Sequence, residues 1–176
     1  LPYWFKDKTK NLNFYERETF LRNYFGKPSL HIVFKDEKNF FDFEYDIIDT
    51  SSKSGFLKKE IRINEIQSFQ YGLWWIQDFS SFFPINNINI KNIKRKNIDL
   101  CAAPGGKSFQ ILSLNKSIIM NDKSKSRIKL MKENLDRLKF KTKIFNYDVL
   151  KLESKEKYDL IILDAPCSAL GTIRKN

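Results

Sequence analysis

The second half of the chain shows short apolar runs that alternate with helical stripes. Four apolar or β-branched segments are typical of buried strands: 97–101, 117–121, 142–146 and 158–164. Apolar residues at helical spacing predict helices over 106–114 and 124–138. Strands separated by helices predict an α/β fold with a parallel sheet and right-handed crossovers.

The first half has a less regular pattern. Its composition and alternation predict a helix over 13–24, strands over 30–34, 40–45 and 60–66, and a loop over 49–55. The aromatic stretch 67–83 predicts a turn, a short strand and the start of a helix. We therefore expect a small α+β unit over 1–66 and a second domain over 67–176.

Length and composition limit the class of protein. The 176 residues include two cysteines that are 66 positions apart, which is not a metal-site spacing, and no signal-peptide layout or membrane-spanning run. We expect a cytoplasmic, reduced protein with no metal and no membrane contact. The start at Leu1 and the end at Asn176 suggest a fragment cut at both ends.

The net charge of +11 is confined to one half of the chain. Residues 1–88 carry 12 basic and 12 acidic side chains, whereas residues 89–176 carry 20 basic and 9 acidic ones. A basic half attracts polyanions, and nucleic acid is the first candidate. A lysine-rich composition bias explains the charge equally well, so charge alone leaves both interpretations open.

The segment "DLCAAPGGKS" (99–108) follows a predicted strand and leads into a helix. It ends like a phosphate-binding P-loop, but Cys101 occupies the position of the first P-loop glycine, and Pro104 has no N–H. Its small residues allow the backbone to approach a ligand closely at the carboxyl end of a strand. A tight turn with no ligand is the simpler alternative.

Three acidic residues follow predicted strands. They are Asp122, Asp148 and Asp164. Each alone is better explained as a helix N-cap, but three beside a small-residue turn favour a ligand with a nucleoside. The fingerprint G-x-G-x-x-G is absent, which disfavours a dinucleotide. Cys167, just beyond the last strand, is either a reactive thiol or core packing.

Three segments resemble the RsmB/Nop/NSUN group of RNA (cytosine-5)-methyltransferases: "WWIQDFSS", "DLCAAPGGKS" and "DAPCSALGTIRKN". The resemblance is nearest to the bacterial RsmB type, which methylates small-subunit ribosomal RNA, and is strongest over 67–176. It implies the first four strands of a Rossmann-like, S-adenosylmethionine-dependent sheet, preceded by a small α+β RNA-binding module at 1–66. We expect such a protein to act as a monomer.

The resemblance also implies roles for individual residues. The S-adenosylmethionine loop would consist of Cys101, Ala102, Ala103, Pro104, Gly105, Gly106 and Lys107. Asp122 would hold the ribose hydroxyls, Asp148 would lie near the adenine, and Asp164 would lie between the methionine end and the target base.

In that family one cysteine attacks C6 of cytosine, and a second helps release the product. Cys167, in Pro-Cys-Ser, matches the second. The attacking cysteine would lie in a Thr-Cys-Ser motif beyond Asn176, so we expect the fragment itself to be inactive. Two alternatives stay open: a noncatalytic RNA-binding protein that keeps the fold, and a nicotinamide-dependent oxidoreductase.

Overall fold

The computed structural model describes residues 3–25, 29–89, 91, 93–151, 153 and 155–166. The chain divides into two compact units, 1–28 with 166–176 and 29–165. In the first unit, α1 (Tyr3–Lys8) precedes α2 (Phe14–Phe25), which confirms the helix predicted there. Asn13 and Glu16 cap α2 reciprocally, each side chain accepting the other's backbone N–H at 2.9 Å.

The second unit begins with an antiparallel sheet. Its strands are β1 (His31–Phe34), β2 (Ile47–Ser51), β3 (Ser54–Leu57) and β4 (Trp74–Ile76), in the order β2-β3-β1-β4. A short helix α3 (Glu37–Phe41) follows β1, and a 3₁₀ turn (Ile63–Glu65) and α4 (Gln67–Gln70) precede β4. One face of the sheet buries a cluster that comprises Ile32, Phe34, Leu57, Ile66 and Trp74.

Three local predictions in this region are wrong. The strand expected over 40–45 is replaced by the end of α3 and the turn that follows it; Asp36 caps that helix by accepting the Asn39 N–H at 2.8 Å. The strand expected over 60–66 is a 3₁₀ turn. The loop expected over 49–55 is mostly a β-hairpin, because Ser54 is fully buried and its hydroxyl hydrogen-bonds that of Thr50 at 2.7 Å.

A second sheet is formed by residues 97–162. Its strands are β5 (Asn97–Asp99), β6 (Ile119–Asn121), β7 (Ile144–Phe145) and β8 (Leu160–Ile162), all parallel, in the order β7-β6-β5-β8. Helix α5 (Phe79–Asn86) precedes it, and α6 (Gly106–Ser113) and α7 (Lys125–Leu138) form the crossovers. The predicted α/β fold is confirmed. β6 and β7 are added on one side of β5, whereas β8 is added on its other side. This switch in strand order places a crevice at the carboxyl end of β5.

Both sheets belong to the same compact unit, and α7 joins them. The Arg137 guanidinium donates to the carbonyls of Phe69 and Trp74 at 2.8 and 3.0 Å. Gly72 has φ +70°, and a Cβ there would lie 1.8 Å from the Arg137 carbonyl oxygen. β4 thus completes the first sheet although it lies beyond residue 66, and the boundary at 66/67 stays a prediction.

No helix in the described part of the chain is long and apolar enough to cross a membrane.

Candidate functional site

The loop between β5 and α6 is shaped by two glycines. Gly105 has φ +119°, and a Cβ on it would lie 2.1 Å from Cζ of Phe109. A Cβ on Gly106 would lie 3.0 Å from Cδ of Gln77. Gly105 is the N-cap of α6 and supplies no side-chain cap, so the first-turn N–H groups of α6 are left for another acceptor. The glycines therefore let the loop turn directly into the helix.

The backbone N–H groups of the loop are used inside the protein. The Ala102 N–H donates to the Asn121 carbonyl at 2.8 Å, and the Ala103 N–H donates to Oδ2 of Asp122 at 3.1 Å. The Cys101 N–H donates to Oδ1 of Asp99 at 3.3 Å. A P-loop needs such groups free to cradle phosphates. The loop therefore does not fit a triphosphate.

Asp99 anchors the loop from within the core. Its side chain is buried, and Oδ2 accepts the hydroxyl hydrogen of Ser108 at 2.8 Å. Burial raises the pKa of Asp99 to about 6, although Ser108, the Cys101 N–H and nearby Lys107 oppose that rise. The loop is thus tied to the first turn of α6 by a carboxyl group that titrates close to neutral pH.

Asp122 lies at the carboxyl end of β6, against the loop, and is 3% exposed. Oδ1 accepts the Ser124 N–H at 2.9 Å, and Oδ2 accepts that of Ala103. The Arg127 guanidinium lies 3.7 Å from Oδ2 and also donates to the Ala103 carbonyl. Each carboxylate oxygen has capacity for about two hydrogen bonds, so one acceptor position on each oxygen is left for a ligand hydroxyl.

Asp164, just beyond β8, is joined to the loop by Lys107. The Nζ of Lys107 lies 2.7 Å from Oδ2 of Asp164 and also donates to the hydroxyl of Ser81 on α5. The Lys107 side chain is only 14% exposed, whereas that of Asp164 is 62% exposed. The partly buried lysine therefore holds an accessible carboxylate at the mouth of the crevice.

Asp148 has a different partner from the other two predicted acids. It pairs with Lys123 at 2.8 Å. The hydrogen bond from Lys123 lowers the pKa of Asp148 below its usual value, and the Leu150 N–H adds to this effect. Asp148 is thus tied to the residue that follows Asp122 and has no direct hydrogen bond to the loop.

Of the two cysteines, the structure describes Cys101, which lies in the loop. Burial raises the pKa of the Cys101 thiol, and the carboxylates of Asp122 and Asp99 raise it further. The neutral thiol is a poor nucleophile, which agrees with a place in the loop wall. Cys167 lies outside the described residues.

Sequence reasoning did not assign a role to four residues that hold this site together: Ser81, Asp99, Ser108 and Arg127. Asp99 is the first residue of the segment 99–108 and ends an apolar strand. An acidic residue in that position is the sequence signal that could have identified it. Arg127 lies 24 positions from Ala103 and Ser81 lies 26 positions from Lys107, and no local pattern links such pairs.

The donor and acceptor set suits a nucleoside ligand. Carboxylate oxygens of Asp122 and Asp164 are available to hydroxyl or ammonium groups, and the N-terminus of α6 offers N–H groups to a carboxylate. S-adenosylmethionine carries all three kinds of group. The residues present therefore fit this cofactor.

Comparisons with known proteins agree with this description. A family model described as 16S rRNA methyltransferase RsmB/F matches residues 88–176. A probable ribosomal RNA small subunit methyltransferase B of Coxiella burnetii is 31% identical over 156 residues, covering 84% of this chain and 35% of that protein. A ribosomal RNA small subunit methyltransferase F of Vibrio cholerae is 36% identical over 112 residues, covering 60% of this chain and 24% of that protein. The chain thus spans only 35% or less of these relatives.

Solved structures have the same fold. The crystal structure of PH0851 matches with a TM-score of 0.77 at 24% identity, covering 99% of this chain and 43% of that one. NSun6 from Pyrococcus horikoshii, solved with the S-adenosylmethionine analogue SFG, matches with a TM-score of 0.53 at 31% identity, covering 67% of this chain and 33% of that one. With half of its length matched by the family model, this chain belongs to the RsmB/F family of S-adenosylmethionine-dependent 16S rRNA methyltransferases.

Proposed function

We propose that this chain is part of an enzyme that methylates C5 of a cytosine in small-subunit ribosomal RNA, with S-adenosylmethionine as the methyl donor. The observation that carries the proposal is the contact between Ala103 and Asp122. Because of this contact, the Ala103 N–H points into the protein and is not free to bind a phosphate. The same contact holds the Asp122 carboxylate beside the loop, where it can accept hydrogen bonds from the hydroxyls of a ribose. Membership of the RsmB/F family supports the choice of RNA.

The residues of the loop, 101–107, would enclose the cofactor, with Asp122 accepting hydrogen bonds from the ribose hydroxyls. When bound, S-adenosylmethionine supplies an electrophilic methyl group on a sulfonium. Asp148 would lie near the adenine. Asp164, held by Lys107, would stand between the methionine end and the target base. The bound base must be unpaired or flipped out, because C5 and C6 are enclosed in a stacked helix.

The proposed chemistry needs two thiols. A thiolate, which we assign to a Thr-Cys-Ser segment that follows Asn176 in a longer form of the protein, adds to C6 and makes C5 nucleophilic. C5 would then take the methyl group, and the donor would leave as the neutral thioether S-adenosylhomocysteine. Loss of the C5 proton to a base would restore the C5–C6 double bond and expel the thiolate from C6, and Cys167 would assist this elimination.

The cofactor assignment is tested by calorimetric titration of a form extended to the length of the family's members. We expect it to bind S-adenosylmethionine and neither ATP nor NAD. Asp122→Ala should weaken cofactor binding at least tenfold, because charge-assisted hydrogen bonds are worth about 1.5–3 kcal/mol each. Asp136→Ala, an exposed acid on α7, is the control with the same change in charge. Equal affinity in the wild type and Asp122→Ala would contradict the assignment.

The reaction is tested separately by transfer of labelled methyl groups to small-subunit ribosomal RNA and identification of the product nucleoside. We expect 5-methylcytidine. An extended protein that binds both cofactor and RNA but transfers no methyl group would favour the noncatalytic alternative. Methylation at another atom would overturn the cytosine-5 assignment while leaving the family intact.

A further inference from the structure

A second cavity lies at the opposite edge of the parallel sheet from the crevice. It has a volume of about 310 Å³ and is lined by the residues that lead into β5, β6 and β7. Four of its lining side chains are cationic: Arg95, Lys96, Lys141 and Lys143. The carboxyl ends of these strands face the loop and Asp122, so the cavity belongs to a different surface from the methyl-transfer site.

The positive charge of this cavity is only partly compensated. Lys96 pairs with Glu156 at 2.5 Å, and the Asp159 carboxylate accepts the backbone N–H groups of Arg95 and Lys96 at 3.1 and 3.0 Å. In the described ranges, the side chains of Arg95, Lys141 and Lys143 form no ion pair with a carboxylate. Three cations around one concavity leave it suited to an anion.

Asn97 provides an independent indication of a ligand. It lines the cavity, is 2% exposed, and donates from Nδ2 to the carbonyls of Ser117 and Lys94 at 2.7 and 3.3 Å. Its Oδ1 is buried and has no hydrogen-bond partner in the described part of the chain. Buried acceptors are normally satisfied, so this oxygen has an acceptor position open to a donor from a ligand or a water.

An anion that also carries a donor meets both requirements. A phosphodiester alone has no hydrogen-bond donor, but in RNA the ribose 2′-hydroxyl lies beside each phosphate and can donate. We propose that this cavity binds a backbone phosphate of the RNA substrate and its neighbouring ribose, in a segment distant from the methylated nucleotide. The inference rests on the proposed function for the identity of the RNA.

Contacts with the RNA backbone position a substrate without reading its sequence. The cavity would therefore hold a distant part of a folded RNA while the target base enters the crevice at the other edge of the sheet. A short oligonucleotide that reaches only the crevice would not contact the cavity, so the cavity would not increase its affinity. Substrate length thus distinguishes the two sites.

The test is RNA binding by the 176-residue chain, with the variant Lys141→Ala/Lys143→Ala. The matched control is Lys129→Ala/Lys132→Ala, which removes two exposed charges from α7. We expect the cavity variant to bind a folded small-subunit ribosomal RNA fragment about tenfold more weakly. The slope of log K against log salt should become shallower by roughly one for each phosphate that the variant no longer neutralises. Circular dichroism of each variant verifies that it is folded.

Three outcomes would overturn the inference. The first is an equal loss of affinity in the cavity variant and the control, and the second is an equal loss for a short oligonucleotide. The third is saturable binding of inorganic phosphate that the cavity variant loses while its affinity for RNA stays unchanged, which would assign the cavity to a free phosphate. A wild-type chain that binds no RNA would instead count against the proposed function.

Discussion

The hydroxyl of Ser108 donates a hydrogen bond of 2.8 Å to Oδ2 of Asp99, nine residues earlier in the chain. This bond closes the loop on itself, because the other oxygen of Asp99 holds the Cys101 N–H. The loop geometry is therefore sensitive to the protonation of one buried carboxyl group, whose pKa burial raises from 3.8 to about 6.

A pH dependence of stability follows from that pKa. The folded state holds the Asp99 proton more tightly than the unfolded state, so its contribution to stability is complete below about pH 4. It is lost as the pH rises towards 6. Asp99→Asn removes this titration while keeping an acceptor for the Cys101 N–H and a group that can bond to Ser108.

We expect the free energy of unfolding of the wild type, relative to Asp99→Asn, to fall between pH 4 and pH 7 by up to about 3 kcal/mol. Urea denaturation at a series of pH values measures it. Taking the difference between the two proteins cancels the opposite effect of Asp148, whose pKa is lowered. A difference that does not change with pH would mean that Asp99 titrates as an ordinary exposed acid.

The two loop glycines should differ in their tolerance of alanine. Gly105→Ala forces a non-glycine residue to φ +119° and places a Cβ against the Phe109 ring, so we expect a loss of at least about 1–3 kcal/mol. Gly106→Ala meets the flexible Gln77 side chain, whose nearest atom, Cδ, lies at 3.0 Å, and serves as the milder comparison. Thermal unfolding measures both. Equal tolerance of the two substitutions would contradict the left-handed conformation at Gly105.

Arg137 should not be replaceable by lysine. Its guanidinium bonds two carbonyls and lies 3.8 Å over the Phe69 ring, a geometry that the single ammonium of lysine does not reproduce. We expect Arg137→Lys to cost about 1–3 kcal/mol in the free energy of unfolding. Lys132→Ala on the same helix, where the side chain is exposed, should change it by less than about 0.5 kcal/mol. A stability close to wild type in Arg137→Lys would mean that α7 does not depend on this contact to join the sheets.

Cys167→Ala distinguishes the roles that a thiol at this position could have. If Cys167 assists elimination, an extended enzyme carrying this substitution should still attack cytosine and then accumulate a protein–RNA adduct that survives a denaturing gel. Ser168→Ala, at the next residue, is the control and should not accumulate the adduct. Loss of the adduct in Cys167→Ala would identify Cys167 as the nucleophile. Turnover that falls only as far as stability falls would indicate packing.

The sequence by itself determined the parallel sheet, its helices and the loop. The stripe of α7 buries apolar groups at helical spacing, and the run 97–101 is too short for a helix, so local pattern and fold agree. The sequence also placed Asp122 and Asp164 beside the loop, because the carboxyl ends of parallel strands share one edge of a sheet.

Where local signals conflicted, only the tertiary structure decided. The segment "NFFDFEY" (39–45) alternates like a strand, yet the Asp36 cap makes its start helical. The serine-rich segment 49–55 becomes a hairpin because Ser54 is buried opposite Val33. The tertiary structure also decided which groups the carboxylates of Asp122 and Asp164 bind. Asp122 supports the loop through Ala103, and Lys107 holds Asp164, because these contacts join residues 19 and 57 positions apart that meet only when the sheet has formed.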